Sequence, residues 1–578
     1  MTKRKKMRSA GIVFIGTMLF AACNTTDSTN TNEISTDPKA IAAGRTIFEE
    51  KCTSCHNFIQ DGIGPNLSGV TARASADWIR HFVKDPKTVV QSGDERAHEL
   101  LKKYTVVMPS FALLKDEDLN YIVAYLHTQK QHPEAKHGAD PAALKNPIPT
   151  PIASSGMEMG LQLVTQIPHS SQEQPHTRIA KLDIIPGDST LFVMDQRGIL
   201  YKLDHNKPVA YLDIAKWKPR FINQPGLATG LGSFAFHPEF LKNGTFYTTH
   251  TEAAGSKKAD FAYADTIKTT LQWVLTEWKT DNPNAIPFTG TNRELLRIDM
   301  VSGIHGVQEI TFNPYAKKGD ADYGLLYIGV GDGGSVENGY AFLAHHLDRP
   351  WGTILRIDPQ GHNSVNGQYG IPAQNPFRNS TGAKALPEIY AYGFRNPNRI
   401  TWSRSGQMLA TNIGQAFIES INQILPGHDY GWPVREGSFA LHPSGDINYV
   451  YALERADSVN HITYPVAEYD HDEGKAISGG FEYTGNAIPQ LKGKYLFGDV
   501  PSGRLFYVNM KDLKLGKQAP VLEWHVTLNG KQVNFKDVCG SDRVDLHFGR
   551  DSKGEIYLLT KPDGKVYKLV NAGKSKII

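Results

Sequence analysis

Leu119, Ile122, Val123 and Leu126 recur at the i, i+3, i+4, i+7 spacing of one helix face, with Asp116 where an N-cap belongs. A second helix is predicted over Lys39 to Glu50, and Gly11 to Ala22 is an apolar stretch too short to cross a bilayer comfortably. Beyond about residue 155 the pattern changes to short alternating apolar runs divided by Gly, Asp, Asn and Pro turns, which predicts β structure to the end of the chain. One strand type repeats there: a turn glycine, any residue, two apolar residues, any residue, one apolar residue, then Asp or Asn. It occurs at Gly198 to Asp204, Gly352 to Asp358 and Gly503 to Asn509, without its last residue at Gly564 to Leu569, and without the glycine at Leu295 to Asp299. Copies of one strand at irregular spacing fit propeller blades with unequal loops, although a single large β-sandwich would also alternate.

Between the two predicted helices the chemistry is compact. Cys52-Thr53-Ser54-Cys55-His56 has the C-x-x-C-H spacing of covalent c-type haem attachment, in which two thioethers hold the ring and the adjacent histidine ligates iron. Met108, 52 residues after His56, is the candidate sixth ligand. A chance or zinc-binding C-x-x-C is the other reading. Gly64-Pro65-Asn66-Leu67 is a turn near that histidine, and the segment resembles class I cytochromes c over about 90 residues, which implies a small all-α haem domain at 39–130.

The chain has 578 residues, 62 Lys+Arg against 59 Asp+Glu and a formal net charge of +3, which excludes the basic surface of a nucleic-acid binder and calls for several domains. Lys3, Arg4, Lys5, Lys6 and Arg8 precede the apolar stretch, making an export signal over 1–22. Leu19-Phe20-Ala21-Ala22-Cys23 resembles a bacterial lipobox with Phe20 in place of the usual leucine, so Cys23 is the expected lipidation site; an ordinary cleaved signal is the alternative. A flexible tether is expected at 23–38 and a semi-stiff proline-rich linker at 131–155. Of the four cysteines this leaves Cys539 unpaired.

Four stretches of the β region resemble the soluble glucose/sorbosone dehydrogenase family, which binds pyrroloquinoline quinone (PQQ) on a six-bladed propeller. They are Phe234-Ala235-Phe236-His237-Pro238, Gly329-Val330-Gly331-Asp332-Gly333-Gly334, Tyr392-Gly393-Phe394-Arg395-Asn396-Pro397 and Asp429-Tyr430-Gly431-Trp432-Pro433. Ile477 to Tyr483 and Tyr495 to Asp499 extend the match. The resemblance implies a propeller over 156–575, with His305 as the base, Asp332 orienting it, and Arg395 and Asn396 on the quinone. It also implies calcium on the main-chain carbonyls of Gly414 and Gln415. Three departures stand out. Ala228 lies where a sugar-contacting glutamine is common, and Thr484 where a cofactor-binding Lys or Arg is common, with Arg504 the possible substitute. Ser438 to His442 lacks the carboxylate that in some members binds a second calcium.

The expectation is a multi-domain exported quinohaemoprotein, a small all-α domain followed by an all-β propeller. It would oxidise a sugar or alcohol with PQQ and pass electrons through its one haem c to a downstream cytochrome or respiratory chain. It would be lipid-anchored in a bacterial cell envelope and bind no nucleic acid. The alternative is an inactive glycan- or protein-binding propeller carrying a cytochrome, since the family includes animal propellers that perform no chemistry.

Overall fold

The computed structural model describes residues 34–572 apart from 54, 105–106, 132–139, 381–383, 444–446 and 454–460. The export signal, Cys23 and most of the expected tether lie outside the described residues. Among the described residues no helix is long and apolar enough to cross a membrane.

The N-terminal unit is helical: α1 Pro38–Lys51, α2 Val70–Arg73, α3 Ala76–Lys84, α4 Pro86–Gln91, α5 Glu95–Tyr104 and α6 Asp116–Thr128. Asp37 caps α1 by accepting from the Lys39 N–H at 3.0 Å, with Pro38 at the first helical position, where its missing N–H costs nothing. Asp116 is already helical, so the N-cap of α6 is Lys115 rather than the expected Asp116; the Asp118 carboxylate satisfies the Lys115 N–H at 3.1 Å. The predicted face of α6 is buried, as Leu119, Ile122, Val123 and Leu126, and packs on Phe48 of α1. The two helices cross at Gly44, where a Cβ would stand 1.8 Å from the Tyr121 carbonyl oxygen.

The remainder is a six-bladed propeller. Each blade is a four-stranded antiparallel meander, and the innermost strands are Ile179–Ile184, Leu231–Phe236, Glu309–Phe312, Pro397–Trp402, Ile477–Glu482 and Leu546–Arg550. Each inner strand neighbours the next around the axis, and the last returns to the first, Gly549 pairing with Leu182. Six hydrophobic clusters lie one between each pair of adjacent blades. Packing between neighbouring blades buries both faces of many blade strands, as in Leu191–Asp195 and Leu326–Val330. The sixth blade takes its outer strand, Ala153–Gln166, from before the first blade, so the ring is closed by sequence-distant segments. That strand begins three residues ahead of the expected boundary at 156.

Of the five repeat copies, four fall on third strands, in blades one, three, five and six; the copy at Leu295 falls on the fourth strand of blade two, Thr291–Met300. Lys181 plugs the axis from blade one, bonding Glu309 Oε1 at 2.6 Å, Ser233 Oγ at 3.1 Å and the Ile310 carbonyl at 2.9 Å. The expected linker is pinned to the propeller. Ala143–Leu144 pairs with Val450–Tyr451 of an insertion in blade four, and the N–H groups of Ile148 and Ile152 donate to Asp470 and Glu473, each at 3.0 Å.

Candidate functional site

Loops that precede inner strands and loops that follow second strands emerge on one face of a propeller. His305 precedes the inner strand of blade three and Arg395 that of blade four; Asp332 and Gly414 follow the second strands of the same blades. Main-chain bonds tie them together: Gly331 N–H to Gly306 O at 3.0 Å, Gly333 N–H to His305 O at 3.0 Å, and Asp332 N–H to Arg395 O at 2.8 Å. The approach demands glycine, since a Cβ on Gly331 would lie 2.2 Å from the His305 carbonyl oxygen. His305 itself is held at φ +49°, a left-handed conformation that side chains rarely adopt, which marks a position fixed by its surroundings.

His305 Nδ1 meets Asp332 Oδ1 at 2.9 Å. Asp332 also accepts from Gly334 N–H at 2.8 Å and, through Oδ2, from Trp432 Nε1 at 3.1 Å. With Nδ1 committed to the carboxylate, Nε2 is the ring nitrogen left for the cavity that His305 lines. Trp432 therefore supports the pair, and the Arg395 guanidinium lies over its ring at 5.8 Å. Arg395 is buried and donates from each of its three nitrogens, to Glu337, to the Gly414 carbonyl and to Gln415 Oε1 at 2.9 Å. Asn396 leaves its buried Oδ1 without a partner.

Two expectations do not hold. Arg504 is bound to Glu473 at 2.7 Å and Glu523 at 2.8 Å and does not line the cavity, so it is no substitute for the missing cation at Thr484. Besides Arg395, the cations that line it include three the sequence did not single out: Lys475, without a carboxylate partner among the described residues, Arg543, paired with Asp545 at 2.7 Å, and Lys561, on Gln196 at 2.9 Å. Burial pushes Lys475 down and Lys561 down to about 8. The set of cations around this cavity fits an acidic quinone, and His305 faces the same space as a base.

For calcium the fit is poor. Gly414 and Gln415 offer two main-chain oxygens where six to eight are usual, and that of Gly414 is already taken by Arg395. The described residues contain no cluster of three His, Cys, Asp or Glu able to hold a metal. The loop is instead shaped by Glu436, whose Oε1 accepts from the N–H groups of Gln415, Ala416, Phe417 and Ile418 at 2.8–3.0 Å. Next to it, buried His471 and Glu419 meet at 3.0 Å.

The haem motif sits at the end of α1. Cys52 N–H closes the helix on Phe48 O at 2.9 Å, and His56 N–H follows onto Cys52 O at 3.0 Å, a single turn that brings Cys52, Cys55 and His56 to one crevice with Met108. His56 Nδ1 bonds the Pro65 carbonyl at 2.9 Å, fixing the ring and leaving Nε2 for iron. Gly64 packs on that ring, where a Cβ would stand 2.5 Å from Cε1. These residues fit a c-type haem.

The crevice and the propeller site are one space: a single cavity of about 1250 Å³ is lined by Cys52, Cys55, His56 and Met108 on one side and by His305, Asn396, Arg395, Gly414 and Gln415 on the other. Ala228 lines it too. The helical unit stands over the propeller mouth, with Gln60 Nε2 donating to Val336 O at 2.9 Å, and ion pairs Lys87–Asp542 at 2.9 Å and Lys268–Glu49 at 3.5 Å at the rim.

The model described as Glucose / Sorbosone dehydrogenase matches residues 177–568, and that described as Cytochrome c matches 41–130. The human Hedgehog-interacting protein is 27% identical over 413 residues, 67% of this chain and 50% of that one. Quinoprotein glucose dehydrogenase B of Acinetobacter calcoaceticus is 24% identical over 322 residues, 50% of this chain and 58% of that one. The chain spans about half the length of the curated relatives it matches. The apo crystal structure of the soluble aldose sugar dehydrogenase from Escherichia coli superposes with TM-score 0.51 at 16% identity, over 71% of this chain and 99% of that one, a likeness of fold. From blade order, site loops and these matches together, the chain belongs to the glucose/sorbosone dehydrogenase family and carries a cytochrome c domain ahead of the family's propeller.

Proposed function

We propose that the protein is an exported quinohaemoprotein dehydrogenase, oxidising a sugar or other hydroxyl substrate with PQQ in the propeller cavity and passing the electrons to its own haem. The observation that carries this reading is the single cavity shared by the haem crevice and the His305–Arg395 site. When bound, PQQ supplies a two-electron carbonyl acceptor and haem c a one-electron acceptor. The chain's own part is to take the substrate hydroxyl proton at His305 Nε2, with Asp332 holding the opposite nitrogen. Arg395, Lys475 and Arg543 supply the positive field that an acidic quinone needs. A quinoprotein among the relatives supports the cofactor, and the lipobox at Cys23 supports anchoring in the cell envelope, with a downstream cytochrome or respiratory chain as the outlet.

The test is the visible spectrum of haem-loaded protein before and after an aldose and alcohol panel, with and without PQQ and calcium. Substrate-driven haem reduction that requires PQQ is expected. His305→Ala should slow it at least a hundredfold with the oxidised spectrum intact, the size of a general-base contribution; a rate within tenfold of wild type would remove His305 from that role. A haem that never responds, with no PQQ binding by titration, would favour a binding propeller, the reading to which Ala228 and Thr484 lend support.

A further inference from the structure

One turn of the propeller, Gly331 to Gly339, touches every part of the assembly. Asp332 at its start holds His305. Glu337, five residues on, holds the Arg395 guanidinium. Between them, the Val336 carbonyl receives the Gln60 amide of the haem loop, and Gly62 of that loop lies against Glu337, where a Cβ would stand 3.4 Å from Oε2. The loop is tight, with Gly64 N–H on Cys55 O at 2.9 Å and Gly62 N–H on Gly64 O at 3.0 Å, so Gln60 and Gly62 are rigidly joined to the haem motif. The turn is equally fixed. Tyr340 N–H bonds Ser335 O at 2.8 Å, Asn338 Nδ2 bonds Gly334 O at 2.8 Å, and Val336 is buried against Trp432.

Two other polar contacts between the units among the described residues, the Lys87–Asp542 and Lys268–Glu49 pairs, have all four side chains more than two-fifths exposed and contribute little. Glu337 by contrast is 6% exposed and lines the shared cavity beside the haem loop.

We propose that Val336–Glu337 is the seat of the cytochrome, and that Glu337 is a positioning residue tying the haem loop to the arginine of the propeller site. The inference rests on the dehydrogenase reading for its kinetic consequence alone. A buried carboxylate near the haem stabilises the ferric state, so Glu337→Gln raises the haem midpoint potential. The unpaired Arg395 that remains acts in the same direction. Glu337→Asp, which keeps the charge, restores the potential most of the way.

The measurement is a spectroelectrochemical titration of full-length haem-loaded protein without quinone. A residue that merely stabilised the propeller would not move it. Gln60→Ala, on the surface loop, slows substrate-driven haem reduction at least tenfold in stopped flow while oxidation linked to a soluble dye stays within twofold. An unchanged potential in Glu337→Gln, or haem reduction at the wild-type rate in Gln60→Ala, overturns the proposal. Wild type that reduces neither dye nor haem sinks the dehydrogenase reading, and the potential still decides the seat. If Glu337→Gln fails to fold, accessibility of residues 131–155 to protease decides it, with faster cleavage expected in Gln60→Ala and equal cleavage counting against the seat.

Discussion

Asp332 divides its carboxylate among three donors, His305 Nδ1, Gly334 N–H and Trp432 Nε1, and so has one orientation available. His305, Asp332 and Arg395 were legible because short glycine-bearing motifs surround them, and the glycines are there for the close approach of backbones. Glu337, Lys475 and Arg543 were not, since nothing in a local pattern separates a charge that faces a cavity from one that faces water. Arg504 misled for the same reason. The buried Glu419–His471 pair belongs to this unreadable class and yields a pH prediction. Burial pushes Glu419 up to about 8 from 4.5 and His471 down to about 4 from 6.5. Between about 4.5 and 6.5 the two oppose each other, folding taking up a proton at Glu419 and releasing one at His471. From about 6.5 to 8 only Glu419 still differs; the native state holds the extra proton, and stability falls as pH rises. The thermal midpoint of the propeller, followed by near-UV circular dichroism, should therefore decline less steeply over that range in Glu419→Gln. Equal declines would exclude the pair as a source of the slope.

At the level of elements, the helical periodicity of α6 survived intact because one face is buried and the other wet. The β repeat marked the third strand of a blade wherever its turn glycine was present, and the Leu295 copy, which lacks the glycine, lies on an outer strand. Closure of the ring was invisible, because Ala153–Gln166 pairs with residues some 400 positions away in sequence. The linker looked free for the same reason: Ala143–Leu144 finds its partner strand in a distant insertion. The contact of α1 with α6 at Gly44 carries its own prediction. Gly44→Ala forces a methyl into the Tyr121 carbonyl and is expected to destabilise the helical unit by about 1–3 kcal/mol, the usual cost of overpacking. Unfolding followed at the haem absorption band should shift to lower temperature while the propeller transition stays in place. A propeller shift of equal size would mean that the two units unfold together.

For the whole molecule, a linker clipped at Ala143, Ile148 and Ile152 makes the meeting of the two redox sites a property of the fold rather than of diffusion on a tether. Substrate-driven haem reduction in single turnover should then be first order and independent of protein concentration over a hundredfold dilution; dependence on concentration would show that electrons cross between molecules. The shared cavity also sets an order of assembly. Since the crevice of Cys52, Cys55 and His56 opens onto the propeller mouth, the seated cytochrome covers its own route of haem loading. The propeller, moreover, cannot close until the strand Lys565–Asn571 has been made to pair with Ala153–Gln166. Covalent haem attachment therefore belongs to the interval in which the first unit has emerged and the ring is still open. A chain that folds before loading is expected to take up haem more slowly than one loaded while the ring is open.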